Sequence, residues 1–251
     1  MLPRNWLPSA LVGAGFLLAA ALPAAGQTPP SDSAAPADSA ALPPKQAFVV
    51  AAIGDSLTDA RSNGGKYLDY LREYCPESRF DNYGKGGNMV NQMQRRFARD
   101  ILGEPAVDGV PAKPAYTHVI VFGGVNDITS DVTALRTNPK IERDLTSMYA
   151  LAHEHGMKVV ALTVAPWGGF KRYYNARRGA STHELNAWIK GQHDTGAVDA
   201  VVDAFGMLSC GNPNRLCPQY VKPFNDGLHF NAAAHRKLGE ALHREVFSQC
   251  R

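Results

Sequence analysis

The sequence contains no glycine-rich phosphate loop, few cysteines and almost no charge imbalance, and each shortage argues against a class of function. Neither GxGxxG nor GxxxxGK followed by Ser or Thr occurs; the nearest approach, at Gly84 and Gly86, has Met89 in place of the last glycine. A nucleotide-binding fold built on such a loop is therefore disfavoured. The four cysteines include no CxxC pair, which argues against a zinc site. With a formal net charge of only +3 at pH 7, bulk electrostatics give no case for a nucleic-acid partner.

Large apolar residues are also rare in the first 46 residues, apart from one segment. Residues 11–22 are apolar, Arg4 precedes them, and residues 24–26 supply the small side chains that signal peptidase requires. We expect a signal peptide over residues 1–26, with cleavage near Gln27. The apolar segment is short and rich in alanine, which favours cleavage over a retained membrane anchor. No cysteine follows the cleavage site for lipid attachment. These features predict a secreted or periplasmic protein without a stable membrane span after cleavage.

Residues 27–46 are mostly Pro, Ala, Ser and Asp, with Leu42 as the only large apolar side chain. A segment of this composition buries too little apolar surface to offset the entropy lost on ordering, so we expect a disordered linker. The remaining residues, 47–251, have the usual size of one α/β domain, and no internal repeat divides them. We expect this domain to act as a monomer.

The domain alternates β-prone runs with helical segments, which is typical of a doubly wound parallel sheet. Helix boundaries are marked by Asn138 with Pro139 at one start, Gly156 at its end, and a capping box of Ser181 and Glu184 at another start. We predict a three-layer α/β/α flavodoxin-like sandwich around a five-stranded parallel sheet. The predicted strands are residues 47–54, 79–83, 117–123, 158–165 and 198–204, and the predicted helices lie near residues 65–74, 88–102, 138–155, 181–194 and 231–248.

Two segments, residues 166–180 and 206–229, lack the pattern of either element. Both are longer than most connections in compact domains, and such loops are often functional. Because each follows a predicted strand, both belong at the carboxyl edge of the sheet, where open α/β sheets bind their ligands.

Ser56 belongs to the same edge, because the apolar run of residues 49–53 stops at Gly54 and delivers this serine directly afterwards. A strand buried on both faces reads as such a run, and a serine beyond its end is well placed to act as a nucleophile. The alternative is that Gly54, Asp55 and Ser56 form a plain turn after the strand, since all three residue types are common in turns.

Other polar and glycine-rich stretches supply the remaining parts of an acyl-transfer site. Such a site needs a base, a group that orients the base, and donors for a developing oxyanion. Residues 82–87 and 123–127 offer backbone amides and the Asn126 side chain, while Asp226 and His229 lie three residues apart before the last helix. Singly, each stretch has a plain interpretation as a turn, a helix cap or one of eight histidines. Their joint occurrence favours a catalytic site.

Four blocks of the chain, taken together, resemble the GDSL or SGNH hydrolases, and the resemblance covers residues 47–248. It implies an enzyme in which Ser56 is the nucleophile, His229 is the base and Asp226 orients the base. It also implies that no metal or organic cofactor is needed. The four blocks are residues 54–57, 82–87, 124–127 and 226–229.

The same resemblance implies an oxyanion hole made of the Ser56 amide, the Gly87 amide and the Asn126 side chain. The second block offers both Gly86 and Gly87 as donors. The family's usual spacing from Asn82 selects Gly87.

The resemblance implies hydrolysis of carboxylic esters, although one fold serves many substrates. Export and the lack of a long apolar lid favour a short acyl ester, such as an O-acetyl group on a carbohydrate, cleaved through an acyl-serine intermediate. The alternatives are a lipase- or thioesterase-type acyl hydrolase and an O-acyltransferase that passes the acyl group to a sugar hydroxyl. A non-catalytic glycan-binding protein is disfavoured by the complete set of site residues.

The loop of residues 166–179 interleaves aromatic and basic side chains, and we expect it to form a wall of the substrate site. Aromatic faces can hold sugar rings, and arginine suits carboxylate or phosphate groups. Tyr173 and Tyr174 are the better contact candidates. Trp167, next to the strand end, is a further candidate but is also the aromatic best suited to a structural role. The alternative is that the aromatics only anchor the loop.

In an oxidising compartment the four cysteines are expected to form two disulfides, for which three pairings exist. In the doubly wound order, the first and last helices lie side by side and run away from the active-site edge. This arrangement brings Cys75 and Cys250 to the same end of the domain. Cys210 and Cys217 then close a small loop ahead of Asp226.

Overall fold

The computed structural model describes residues 45–104, 106, 108 and 112–251. The predicted signal peptide and residues 27–44 of the predicted linker lie outside the described residues. Gln46, the last residue of that linker, is already part of the fold, because its amide donates to the Gln249 carbonyl over 2.9 Å and it forms a parallel bridge with Cys250. No helix in the described part of the chain is long and apolar enough to cross a membrane.

Five runs of the sequence form one sheet, as predicted. All pairings are parallel, and the strand order β2-β1-β3-β4-β5 is the flavodoxin-like order. Four of the observed strands are shorter than predicted and lie within their predicted ranges, and β2 extends one residue beyond its predicted end. The strands are β1 (Val49–Gly54), β2 (Arg79–Gly84), β3 (His118–Phe122), β4 (Lys158–Leu162) and β5 (Ala200–Val202).

Helices cover both faces of this sheet and complete the predicted three layers. Because successive residues of a strand point to opposite faces, Val50 and Ala52 pack in the core on one side, whereas Ala51 and Ile53 pack in the core on the other. The helices are α1 (Lys66–Tyr74), α2 (Val90–Phe97), α3 (Val125–Thr129), α4 (Asn138–Glu154), α5 (Ala176–Gly191), α6 (Ala204–Leu208), α7 (Pro218–Val221) and α8 (Ala232–Glu245). Helices α1 and α8 contribute to the first core, and α2, α4 and α5 contribute to the second.

Helix α5 begins five residues earlier than predicted, and the predicted capping box is wrong. The Asn175 side chain accepts a hydrogen bond from the Arg178 amide, which caps the helix at that point. Ser181 and Glu184 therefore lie inside α5. A serine followed three residues later by a glutamate marks a helix start only where the backbone before it is not already helical.

The prediction that residues 206–229 lack regular structure is also wrong. This segment contains the end of α6, a short antiparallel hairpin of β6 (Ser209–Cys210) and β7 (Asn212–Leu216), and the single turn of α7. Such short elements carry too few residues for a hydrophobic period to be recognised. The loop that remains, residues 222–231, leads directly into α8.

Disulfides join Cys75 to Cys250 and Cys210 to Cys217, the two pairs expected from the sequence. Cys75 follows α1 and Cys250 follows α8, and these helices pack against each other through a shared core. The second disulfide closes the hairpin, seven residues apart in sequence, just ahead of α7. One disulfide therefore ties the far end of the domain, and the other braces the segment before Asp226.

Candidate active site

Three strand ends and one late loop meet around a cavity of about 890 Å³. Ser56 follows β1, Gly86 and Gly87 follow β2, and Asn126 lies in α3 just after β3. His229 reaches the same cavity from the loop before α8. The structure thus brings together residues from all four sequence blocks, although Ser56 and His229 are 173 positions apart.

A hydrogen-bonded chain connects Asp226, His229 and Ser56. His229 Nδ1 lies 2.6 Å from Asp226 Oδ2, and His229 Nε2 lies 2.8 Å from Ser56 Oγ. A carboxylate accepts from Nδ1–H, which leaves Nε2 as the acceptor for the serine hydroxyl. The imidazole is therefore oriented to remove the proton of Ser56.

Asp226 is held by its own turn. Its Oδ1 accepts from the amides of Leu228 and His229, each over 2.9 Å. Partial burial acts to raise the pKa of Asp226, but the hydrogen bonds from the His229 side chain and from the two amides outweigh it and hold the pKa below its ordinary value. Asp226 is consequently ionised in the range where an imidazole is neutral.

The turn after β2 distinguishes the two candidate glycine donors. The Gly86 amide donates to Asp59 Oδ2 over 2.9 Å and is therefore already used. The amides of Gly87 and Ser56 have no acceptor among the described residues. Gly87 has φ of +74°, a left-handed conformation that glycine adopts without strain. Gly87, rather than Gly86, thus offers its amide to the cavity.

The Asn126 side chain is the third candidate donor. One N–H of its Nδ2 donates to the Asn88 carbonyl over 3.1 Å. The contact of the same nitrogen with Asp55 Oδ2, at 3.4 Å, is longer than an ordinary hydrogen bond, so the second N–H stays available to the cavity. Asn126 lines the cavity together with Ser56 and Gly87. The candidate donors thus belong to residues of the same cavity, which is where donors to an oxyanion are required.

Arg96 joins these elements and was missed by the sequence analysis. This side chain is only 6% exposed and donates to the Gly54 carbonyl over 3.1 Å and to Asn88 Oδ1 over 2.9 Å. It also pairs with Asp100 over 3.0 Å. One guanidinium thus ties the end of the strand before Ser56 to Asn88, whose carbonyl holds Asn126. The available signal was its position, three residues after Met93 on the buried face of α2.

Asp55 lies behind the site and is almost fully buried, at 1% exposure. Burial raises the pKa of Asp55 from 3.8 to about 7, although the hydrogen bond from the Leu57 amide and the nearby His229 act in the opposite direction. Asp127, which is also buried, accepts from Arg136 Nε over 2.7 Å and from the Val90 amide over 2.8 Å. The site therefore rests on two buried carboxyl groups, of which Asp127 has a cationic partner.

Of the three loop aromatics predicted to contact substrate, Tyr173 lines the cavity, whereas Trp167 and Tyr174 do not. Phe170 and Tyr173 line the cavity. Trp167 is only 1% exposed and donates to Thr182 Oγ1 over 2.9 Å, so the prediction that it contacts substrate is wrong. Tyr174 packs edge-on against Trp167, with ring centroids 4.9 Å apart, and does not line the cavity. Trp167 and Tyr174 form the support of this wall, and its cavity side is Phe170 and Tyr173.

Comparisons with known proteins agree with this geometry. The GDSL-like lipase/acylhydrolase family profile matches residues 52–237. No curated protein matches the chain significantly.

Solved structures with the same fold include three at 18–20% identity. A GDSL-like lipase from Bacteroides thetaiotaomicron is 20% identical, with 78% of this chain and 86% of that chain covered and a TM-score of 0.63. A catalytic mutant of an acetylxylan esterase from Geobacillus stearothermophilus is 18% identical, with coverages of 81% and 96% and a TM-score of 0.62. A lipase/acylhydrolase from Enterococcus faecalis is 19% identical, with coverages of 81% and 97% and a TM-score of 0.62.

Replacing Arg96 by Met is expected to lower kcat for an aryl acetate by about 10- to 100-fold. This is less than the roughly 10²- to 10³-fold loss for removal of one oxyanion donor, because the donors stay present but lose their common anchor. KM should change less than kcat. The control is Arg72→Met, at a position away from the cavity. This change removes a guanidinium that joins α1 to the Phe80 carbonyl and pairs with Asp69 within the same helix. A lower melting temperature in both variants, with kcat unchanged in Arg96→Met, would contradict a positioning role.

Replacing Asp55 by Asn should change how stability depends on pH. Between about pH 4 and about pH 7 the unfolded chain releases the Asp55 proton while the folded chain keeps it. The stabilising contribution of the wild-type carboxyl is therefore present at low pH and lost as the pH rises to about 7. Asn keeps an acceptor for the Leu57 amide, which donates to Asp55 Oδ1 over 2.9 Å, but does not titrate.

Urea unfolding at pH 5 and pH 8 checks this expectation. The free energy of unfolding of Asp55→Asn, relative to wild type, should increase by a few kcal/mol between these pH values, since one pKa unit corresponds to about 1.4 kcal/mol. Glu154→Gln, which makes a similar carboxyl-to-amide change at an exposed position at the end of α4, is the control. A relative stability of Asp55→Asn that stays constant or decreases would show that Asp55 is ionised in the folded protein at pH 5.

Proposed function

Because the chain belongs to the GDSL-like lipase/acylhydrolase family, we propose that its hydrolytic activity is that of a serine esterase with Ser56 as nucleophile. The observation that carries this proposal is the continuous chain of short hydrogen bonds from Asp226 through His229 to Ser56 Oγ. This arrangement has the roles of a serine hydrolase triad.

In the first half of the reaction, Ser56 Oγ attacks the ester carbonyl carbon as His229 Nε2 takes its proton. The carbonyl π electrons move to the oxygen, which becomes the tetrahedral oxyanion. The Ser56 amide, the Gly87 amide and Asn126 Nδ2 donate to that oxygen. Collapse of the intermediate breaks the bond to the alcohol, which receives the proton from His229 as it leaves.

In the second half, water attacks the acyl-serine. His229 removes a proton from this water, the same donors stabilise the second oxyanion, and Ser56 Oγ leaves with the proton that His229 returns. Asp226 keeps the imidazole in one tautomer and stabilises its protonated form in both halves. The product is a free carboxylic acid, and the enzyme returns to its starting state.

For the substrate, we propose a short acyl ester on a carbohydrate, most simply an O-acetyl group. Support comes from the lining of the cavity, which pairs the aromatic rings of Phe170, Tyr173 and Phe224 with the hydroxyls of Thr129 and Thr133. Aromatic faces suit the apolar faces of sugar rings, and hydroxyl groups suit their polar edges. A structural neighbour described as an acetylxylan esterase points to the same substrate class. Two disulfides are consistent with a secreted or periplasmic location.

Ser56→Ala is expected to reduce ester hydrolysis by about 10⁴- to 10⁶-fold and to abolish covalent labelling by a fluorophosphonate. Its melting temperature should stay within a few degrees of wild type. The matched control is Ser62→Ala, because Ser62 lines the same cavity but has no imidazole partner among the described residues; it should retain labelling and most activity. Labelling of Ser56→Ala at the wild-type rate would refute Ser56 as the nucleophile.

The adjacent tyrosines of the aromatic loop provide a matched pair for testing the substrate. Tyr173→Ala should raise KM for an acetylated xylan by about 10-fold, the equivalent of roughly 1.4 kcal/mol, while an aryl acetate is hydrolysed nearly as before. Tyr174→Ala removes the ring that packs on Trp167, so it should lower the melting temperature by several degrees without changing the ratio of the two activities. If both variants lose both activities in parallel, the loop does not select for a carbohydrate.

A further inference from the structure

A second cavity, of about 390 Å³, lies back to back with the active-site cavity. Gly169 and Gly227 line the second cavity, and the next residue of each segment, Phe170 and Leu228, lines the first. The segments that carry these pairs therefore lie between the two cavities. One of the two segments also carries His229.

The dividing wall is made of bare backbone. A Cβ atom built on Gly227 would lie 2.1 Å from the Gly169 carbonyl carbon, and one built on Gly169 would lie 2.8 Å from the Gly227 Cα. Glycine at both positions lets the two chains touch, so that no side chain thickens the wall. The two cavities are therefore one layer of backbone apart at this point, and a substrate chain that crosses the rim of the wall reaches both.

The side chains of the second cavity suit an anionic, partly apolar ligand. Its charged members are Arg215 and Lys222, and no carboxylate lines it. Both side chains are exposed, and neither is in an ion pair among the residues that the structure describes. An arginine fork binds a carboxylate with two parallel hydrogen bonds, and a lysine adds a mobile point charge. The apolar lining is formed by Leu216, Pro218 and Val221.

Unlike Arg215 and Lys222 of the second cavity, the arginine of the active-site cavity is already paired with a carboxylate. Arg178 lines that cavity, but its guanidinium pairs with Asp131 over 2.6 Å and donates to the Tyr173 carbonyl over 2.6 Å. Its charge is already compensated, and its role is to hold the wall. Of the lysine and arginine residues that line the two cavities, Arg215 and Lys222 are therefore the two without an ion pair among the described residues.

We propose that this second cavity is a glycan subsite that binds the carboxylate of an acidic sugar unit, in a polymer whose ester group lies at Ser56. The subsite rests on the proposed function, since it names the class of carbohydrate that carries the ester. It makes the preferred substrate an acetylated polymer that contains uronic acid units. A neutral acetylated polymer fills the active-site cavity but leaves Arg215 and Lys222 without a partner.

The test compares two double variants that each remove one arginine and one lysine. R215Q/K222Q changes the second cavity, and R95Q/K237Q changes exposed positions that line neither cavity. With acetylated polygalacturonate at low salt, R215Q/K222Q should show about a 10-fold higher KM and an unchanged kcat. With acetylated xylan and p-nitrophenyl acetate, both variants should stay within twofold of wild type. Addition of 0.5 M NaCl should remove the difference on the acidic polymer, because exposed charges are then screened.

Binding without turnover separates this proposal from the proposed function. Calorimetric titration of the Ser56→Ala protein with an oligogalacturonate that carries no ester should show binding, weakened about 10-fold by R215Q/K222Q and not by R95Q/K237Q. That result supports the subsite even if wild type hydrolyses no acetylated glycan, an outcome that would overturn only the proposed substrate. Equal KM values on the acidic polymer for wild type and R215Q/K222Q, or equal oligogalacturonate binding, would overturn the subsite.

Discussion

The level register of three neighbouring strands, the edge strand β2 with β1 and β3, determines where the site is. Gly54 pairs with Gly84 on one side and with Phe122 on the other, so β1, β2 and β3 end at the same height. The turns that follow must therefore pack against one another. A Cβ atom on Gly54 would lie 2.3 Å from Thr58 Oγ1, and one on Gly84 would lie 2.2 Å from the Asp59 amide nitrogen. Glycine at both strand ends allows this packing, which places Ser56 and the Gly87 amide, the proposed nucleophile and one of its proposed donors, side by side in one cavity.

Asp226 and His229 lie on a loop that follows no strand of the main sheet, so the register of the strands does not place them. Contacts with neighbouring loops hold this loop instead. The Gly168 amide donates to the Asn214 carbonyl over 2.5 Å, which joins the aromatic loop to the disulfide-braced hairpin. Gly227 then touches Gly169 through backbone alone. These loop contacts help to hold the segment that carries His229, and the contact of Gly227 with Gly169 also forms part of the wall between the two cavities.

The parts of the fold that follow from local periodicity and strand ends could be predicted from the sequence. The five parallel strands, both faces of helices, the placement of Ser56 and the cysteine pairs belong to this group. What could not be predicted depends on tertiary packing. Trp167 is an aromatic residue in a loop rich in aromatic and basic side chains, which suggested a binding role. The packing of the domain buries it instead. Arg96 is a charged residue on a helix. Its burial is explained by its tertiary partners, the Gly54 carbonyl and Asn88 Oδ1. The roles of the site residues remain predictions.

Two aspartates lie close to the reacting groups, and their environments separate their roles. Asp226 is surrounded by donors that stabilise its charge, so its pKa is lowered. Asp55 is shielded from solvent, and this burial raises its pKa to about 7. Paired carboxyl groups with opposite shifts indicate different functions in one site. In the proposed mechanism, an ionised Asp226 stabilises the imidazolium that forms when Ser56 is deprotonated. A neutral Asp55, which lies 3.4 Å from Asn126 Nδ2, adds no negative charge beside the oxyanion that the same amide must stabilise. The aspartate adjacent to the nucleophile in sequence is therefore suited to the scaffold, and the distant aspartate is suited to the chemistry.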